Sequence, residues 1–254
     1  MLVLENAMNK FARITCALAL VIGGVGSAYA GIQINATRVI YPAEQREVTL
    51  SMVNNGTTPL LLQSWVDDGD MKESPETTKA PFLLTPPMAR VDAGKGQTLR
   101  IMFTGANLPQ DRESVFWLNV LEIPAKPKIS EGEESGNYLQ FAIRSRMKIF
   151  YRPKGLPGNA FDAADQVTWR VVAKGNGYEA QCTNPTAFNV NIGSVIAKGS
   201  SVPQTIESKG GMCPAKGTAT LPLNGNLDAS GGKLTVDVIN DFGGFDKHDV
   251  AFTR

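Results

Sequence analysis

Residues 137–153 read NYLQFAIRSRMKIFYRP. At period two the odd positions are Leu139, Phe141, Ile143, Ser145, Met147, Ile149 and Tyr151, and all but Ser145 are apolar or aromatic. The alternate positions include Gln140, Arg144, Arg146, Lys148 and Arg152. A greasy face opposite a mostly cationic face is the pattern of a β-strand. At roughly 3.3 Å per residue the stretch spans on the order of 50 Å, where a typical strand has about 5–6 residues. A small sandwich does not readily cover a strand of that length. One end of the greasy face is therefore expected to lack a partner in its own chain.

Shorter alternating runs recur on both sides of it. They lie at 47–53 (EVTLSMV), 60–66 (LLLQSWV), 98–103 (TLRIMF), 115–123 (VFWLNVLEI), 167–172 and 233–239 (KLTVDVI). Turn signals separate them, among them Asn54-Asn55-Gly56, 93–96 (AGKG), Gly175-Asn176-Gly177 and Ser230-Gly231-Gly232. The 25 glycines and 15 prolines are spread throughout, which disfavours long helices. This spacing predicts an all-β chain built of sandwiches. The pattern breaks at 152–158 (RPKGLPG), where two prolines and two glycines mark a domain boundary. A polar, acidic connection at 124–136 (PAKPKISEGEESG) precedes the long strand.

The first thirty residues read as a secretory signal. Lys10 and Arg13 supply the positive region, 14–25 the apolar run, and Ala28-Tyr29-Ala30 the small-x-small cleavage site, so that the mature chain begins at Gly31. Translation starts at Met1 or Met8, since MNKFAR opens an ordinary signal. The expected division is 1–30 signal peptide, 31–153 first domain and 154–254 second domain, with the product soluble and exported. Cys16 leaves with the signal. Cys182 and Cys213 then form an even pair in an oxidising compartment, which suggests one disulfide, the alternative being two free thiols. A bridge there would close a loop of about 30 residues and stabilise by roughly 3–4 kcal/mol.

Several chemistries are excluded. The formal net charge of +1 gives no electrostatic case for nucleic acid. There is no GxxxxGK[ST] for a nucleotide and no GxSxG for a serine nucleophile. The single histidine, His248, sits near the C-terminal end without a readable nucleophile, and it cannot complete a metal-ligand set with the two cysteines. No catalytic residue, metal or cofactor is expected, and the chain does not read as an enzyme.

Several segments, taken in order, resemble one family. They are 36–42 (ATRVIYP), 84–87 (LTPP), 108–119 (LPQDRESVFWLN), 149–153 (IFYRP), 184–186 (NPT) and 239–243 (INDFG). Together they are similar to the PapD-like periplasmic pilus chaperones of the chaperone–usher pathway, and the likeness runs from about residue 31 to 245. The resemblance implies two immunoglobulin-like β-sandwich domains in a boomerang arrangement. It implies a chaperone that binds pilin subunits one to one, caps and folds them by lending its long strand, and delivers them to an outer-membrane usher. The short acidic connection resembles the family's short-loop branch. The long-loop branch has a disulfide around that connection, which is not available here because Cys182 and Cys213 both fall in the second domain.

The resemblance also assigns residues. Leu139, Phe141 and Ile143 become the side chains that enter the subunit's groove, although on pattern alone they are as readily ordinary core. Met147, Ile149 and Tyr151 are left to the chaperone's own core. Arg38 and Lys148 become the anchor for the subunit's C-terminal carboxylate, where two fixed cations offer several donors to two acceptor oxygens. Arg144 and Arg146 are expected to be solvated strand cations. Glu113, Arg152 and Asp241 become a charge cluster bridging the domains. Leu61, Gln63, Thr85, Pro86 and Pro87 become an usher-docking surface, with a cis bond in that segment compatible with its prolines. A self-capping dimer of the free protein is also consistent with an exposed sticky strand. Two other classes stand beside this one. A pilin or adhesin is disfavoured by two complete sandwich patterns and by the lack of a detachable arm after the signal. An exported hydrolase is disfavoured by the missing nucleophile and base.

Overall fold

The computed structural model of the chain describes residues 31–125, 139–175, 177–199, 205–224 and 232–253. The expected signal peptide and most of the acidic connection lie outside the described residues. The first sandwich contains β1 (Ile32–Ile34), β2 (Arg38–Pro42), β3 (Val48–Asn54), β4 (Leu60–Asp67), β5 (Phe82–Thr85), β6 (Met88–Val91), β7 (Gly96–Phe103), β8 (Ser114–Pro124) and β9 (Ile143–Arg152). After a short 3-10 turn at Ala164–Gln166, the second contains β10 (Thr168–Lys174), β11 (Gly177–Asn184), β12 (Val190–Gly199), β13 (Thr205–Cys213), β14 (Gly217–Leu223), β15 (Gly232–Ile239) and β16 (Phe245–Phe252).

In the first sandwich a sheet of order β1-β3-β7-β5 faces one of order β2-β9-β8-β4-β6. The inward residues follow the period-two pattern. Leu50 and Met52 on β3, Leu99 and Ile101 on β7, Leu118 and Val120 on β8, and Met147, Ile149 and Tyr151 on β9 share one buried core. Tyr41 lies at one end of that core. Its hydroxyl donates to the Arg46 carbonyl at 2.9 Å and accepts from the Phe103 amide at 3.0 Å, so a polar atom held inside the barrel of rings is satisfied on both counts. The rings of Tyr41, Phe82, Phe103 and Tyr151 pack on one another at centroid distances of 4.5–6.5 Å.

The N-terminal chain changes sheets. β1 pairs antiparallel with β3, whereas β2 joins the other sheet and pairs parallel with β9. That parallel pairing runs only from Arg38 opposite Lys148 to Pro42 opposite Arg152. On its other side β9 pairs with β8 along almost its whole length, from Tyr151 opposite Ser114 to Ile143 opposite Glu122.

The long strand is therefore shorter than its sequence pattern predicts. The ladder begins at Ile143, and residues 139–142 belong to no strand. Asn137 and Tyr138 lie outside the described residues. Two causes stop the ladder. β8 ends at Pro124, which has no amide to donate, and β2 never reaches beyond Lys148. In place of a ladder, the Gln140 side chain donates through Nε2 to the carbonyls of Pro124 and Ala125 at 3.1 and 2.9 Å, holding this segment beside the end of β8.

The second sandwich packs a sheet of order β10-β11-β14 on one of order β13-β12-β15-β16 around Trp169, Val171, Ala180, Val195, Ala197 and Leu234. Cys182 on β11 and Cys213 on β13 form a disulfide between the two sheets, 31 residues apart in sequence. His248 lies on β16, with Nδ1 2.8 Å from Asp165 Oδ1. The Cys182→Ala/Cys213→Ala variant is expected to lose about 3 kcal/mol, as the chain-entropy model gives for a loop of this length. Urea unfolding followed by Trp169 fluorescence checks this, with Trp65 and Trp117 reporting a first-sandwich transition that does not move.

Candidate functional site

Large apolar side chains are exposed where β9 runs out. Leu139 is 81% exposed, Phe141 68% and Ile143 56%. They continue the face on which Met147, Ile149 and Tyr151 are buried. Beside them one edge of β9, from Ile143 to Met147, has no neighbouring strand among the described residues, because β2 first pairs at Lys148. An unpaired edge flanked by unburied apolar side chains is a template for another chain's strand. A pocket of about 250 Å³ adjoins it, lined by Gly31, Glu122, Phe141 and Ile143 among others.

At the other end of the open edge two cations are placed side by side. The parallel register sets Arg38 of β2 opposite Lys148 of β9. Both reach across to the second sandwich, and both find neutral oxygens there. Arg38 Nη1 donates to the Ile239 carbonyl at 3.0 Å, and Lys148 Nζ donates to Asn191 Oδ1 at 2.8 Å. Lys148 also lies 5.4 Å from the centre of the Trp117 ring. Among the described residues neither cation forms an ion pair. Burial, and then the positive charge of Arg38, push the Lys148 ammonium down to about 8. Burial likewise lowers the Arg38 guanidinium, and the charge of Asp241 offsets part of that. The seam thus holds two partly desolvated positive charges that form no direct ion pair among the described residues, an arrangement suited to a carboxylate.

A third set joins the sandwiches next to this pair. Arg152 Nε donates to Glu113 Oε1 at 2.7 Å, and its Nη1 and Nη2 donate to the two oxygens of Asp241 at 2.9 and 3.2 Å. The second oxygen of Glu113 accepts from the Asn189 amide and side chain, at 2.8 and 3.1 Å. Burial works against the Arg152 charge, but the bonds to Asp241 and the charges of Glu113 and Asp241 outweigh it and raise its pKa. Asp241 is presented by a tight hairpin between β15 and β16. Gly243 there has φ +85°, and a Cβ on it would collide with the Thr37 hydroxyl, so the hairpin approaches the first sandwich one residue from Arg38.

Arg146 corrects the expectation of a solvated cation, and Arg144 is exposed as expected but carries partners of its own. Arg144 lies 4.7 Å over the Trp65 ring and donates to Asn119 Oδ1 at 2.9 Å. Arg146 lies 4.3 Å over Trp117 and is paired with Asp67, whose side chain is fully buried. Burial alone would raise the Asp67 carboxyl, but hydrogen bonds from Arg146, Asn119 and the Gly69 amide pull it below the ordinary value. Asp67 is buried beneath them, whereas Arg146 is half-buried and Arg144 exposed, each guanidinium lying over an indole of β4 or β8. The acid at the end of an apolar strand, Asp67, and tryptophans at alternate positions were the available signals, and reading β9 alone missed both.

The remaining expected residues lie together elsewhere. Leu61 and Gln63 of β4 pair with Arg90 and Met88 of β6, and the Pro87 carbonyl accepts from the Ser64 amide at 2.8 Å. The Thr85–Pro86 bond is cis. Leu83 and Met88 are exposed nearby, and a pocket of about 230 Å³ opens between Leu61, Arg90 and Ile123. Among the described residues no group of three His, Cys, Asp or Glu side chains converges to hold a metal.

Comparison with known proteins gives a consistent result. Residues 31–157 match the family described as "Pili and flagellar-assembly chaperone, PapD N-terminal domain", and residues 162–250 match "Pili assembly chaperone PapD, C-terminal domain". The chain is 50% identical over 186 residues to the chaperone protein FimB/FhaD of Bordetella pertussis, covering 70% of this chain and 74% of that one. A crystal structure of the YadV chaperone has a TM-score of 0.74 at 37% identity, covering 87% of this chain and 100% of that one. A structure of the Salmonella enterica SafA pilin in complex with the SafB chaperone has a TM-score of 0.69 at 30% identity, covering 90% and 99%.

The lowered Lys148 value has a consequence for stability. Between pH about 8 and the ordinary lysine value of about 10.5 the unfolded chain binds a proton that the folded chain does not, so stability rises with pH across that window. Lys148→Met removes the buried charge but leaves the Asn191 acceptor unpaired. Allowing for that and for the partly open position of the amine, the variant is expected to be more stable at pH 7 by on the order of 1 kcal/mol. The advantage should shrink toward pH 10.5, as checked by urea unfolding at pH 7, 9 and 10.5.

Proposed function

The chain belongs to the PapD-like pilus-assembly chaperones, and from that premise we propose how its residues divide the work. It is a periplasmic chaperone that binds pilin subunits, and it is not an enzyme. A pilin subunit missing a strand exposes an apolar groove and unpaired backbone groups, both costly in water. Strand addition from a chaperone satisfies both at once, through main-chain hydrogen bonds and alternating side chains. The observation that carries the assignment here is the exposure of Leu139, Phe141 and Ile143 in line with the buried half of β9. In the complex residues 139–142 complete the strand that the free chain leaves unformed, and the three side chains fill the subunit's groove. Each gains roughly 1.5–3 kcal/mol on leaving water.

Arg38 and Lys148 hold the subunit's terminal carboxylate. The anchor sets the register, because a slip of one residue would turn every inserted side chain to the wrong face. Glu113, Arg152 and Asp241 fix the angle between the sandwiches and so keep both donors in place. Leu61, Gln63, Thr85, Pro86 and Pro87 form a surface for the outer-membrane usher, which the adjacent exposed apolar groups support. The protein falls in the short-loop branch, and when free it caps its own exposed edge by dimerising. A leader of residues 1–30 takes it across the inner membrane and is removed there, leaving domains 31–153 and 154–254.

Co-expression with a pilin subunit in the periplasm, followed by affinity capture and gel filtration, tests this reading. The wild-type chain is expected to give a 1:1 complex. Phe141→Glu and Lys148→Ala are each expected to fold, by circular dichroism and thermal midpoint, and to recover at least about 10-fold less subunit, the loss of some 1.4 kcal/mol or more of binding. Normal recovery with both variants would overturn the assignment.

A further inference from the structure

Glu122 is out of place. It follows Leu118 and Val120 at period two on the core-facing side of β8, it is 8% exposed, and among the described residues it has no cationic partner. Its one hydrogen bond is from the Ile32 amide to Oε2, at 2.9 Å. A carboxylate with so little exposure and a single hydrogen bond is stabilised by a positive charge placed beside it. The group that lies against it is Gly31. A Cβ on Gly31 would stand 2.5 Å from Glu122 Oε2, so the carboxylate occupies the space a side chain would need, and the Gly31 amino nitrogen is carried on the same α-carbon. The Asn55 amide donates to the Gly31 carbonyl at 2.9 Å and fixes that residue in place.

Gly31 is also the residue that follows Ala28-Tyr29-Ala30, and the inference rests on the leader removal proposed above. We propose that the α-ammonium released at Gly31 by removal of the leader is the missing counterion, forming a buried ion pair with Glu122 that closes the N-terminal end of the first sandwich. Processing would then do more than release the chain. It converts a neutral peptide nitrogen into the positive charge that this corner requires. Hydrolysis of the Ala30–Gly31 bond supplies the carboxylate of Ala30, which leaves with the leader, and the amine, which takes up a proton and stays. The surrounding walls, residues 54–58, Leu60, Pro124 and 141–143, contribute no titratable side chain, so no other described group competes for the pair. The same walls include Phe141 and Ile143, which places the new terminus beside the exposed end of the strand.

The sign with pH follows. Pairing raises the amine above its ordinary value of about 7.7–8.0 in the folded chain, so its contribution is full below that range and is lost as pH rises through the raised value. The test uses the exported, processed protein. Mass spectrometry should show a chain beginning at Gly31. An NMR titration of the Gly31 amine should give a value more than one unit above the ordinary one. Glu122→Gln, and separately a chain retaining Ala30, should each lower the thermal midpoint at pH 6.5 by about 2–4 °C, with the double variant no lower than either single. The gap between wild type and Glu122→Gln should narrow above pH 9. A chain beginning elsewhere, an amine titrating near 8, additive losses, or a Glu122→Gln variant as stable as wild type would each overturn the pairing. The NMR value remains decisive where a variant does not fold.

Discussion

β9 has two edges, and its own chain covers them unequally. β8 runs beside one edge for nearly the full strand, whereas β2 meets the other for five residues and stops at Arg38. Backbone amides and carbonyls left over in this way have to be satisfied by water or by another polypeptide. That inequality sets the position of everything else at the site. The apolar triad lies where β9 has lost its neighbours, and the cationic pair lies where β2 begins.

The two sandwiches contribute to this arrangement differently. The first supplies both positive charges and the exposed apolar side chains Leu139, Phe141 and Ile143. The second supplies acceptors without charge, Asn191 Oδ1 and the Ile239 carbonyl, which orient Arg38 and Lys148 without neutralising them. The nearby carboxylate of Asp241 is held in a two-pronged contact with Arg152. Keeping a lysine desolvated beside an arginine costs stability, as its low pKa records. The cost is tolerable because the Arg152 cluster and the close approach of Gly243 to Thr37 hold the sandwiches together independently of the cations.

Much of this was legible in the sequence, and the parts that were not have a common cause. Period-two alternation showed most of the strands with an apolar face, and the change from Leu139–Ile143 to Met147–Tyr151 along one face could be suspected from length alone. The pairing of residues distant in sequence could not be read that way. Nothing in 144–146 states that two indoles from β4 and β8 will cover the arginines, or that Asp67 will be buried beneath them. That Arg38 and Lys148 act together was expected only from the family resemblance, and the parallel register of β2 and β9 that brings them side by side was not read from the sequence at all. The extent of the ladder was overestimated because alternation records which face a side chain takes, and it carries no information on whether a neighbouring strand is there to bond.

The grip of Gln140 on the Pro124 and Ala125 carbonyls separates two kinds of constraint on neighbouring positions. Gln140, which holds this segment to its scaffold, alternates with side chains that are mostly exposed. Leu139, Phe141 and Ile143 can therefore change over generations with little matching change in the core, since none of them belongs to it. Descendants of this chain are free to adapt to new clients by substitution at three sites, with the scaffold inherited intact.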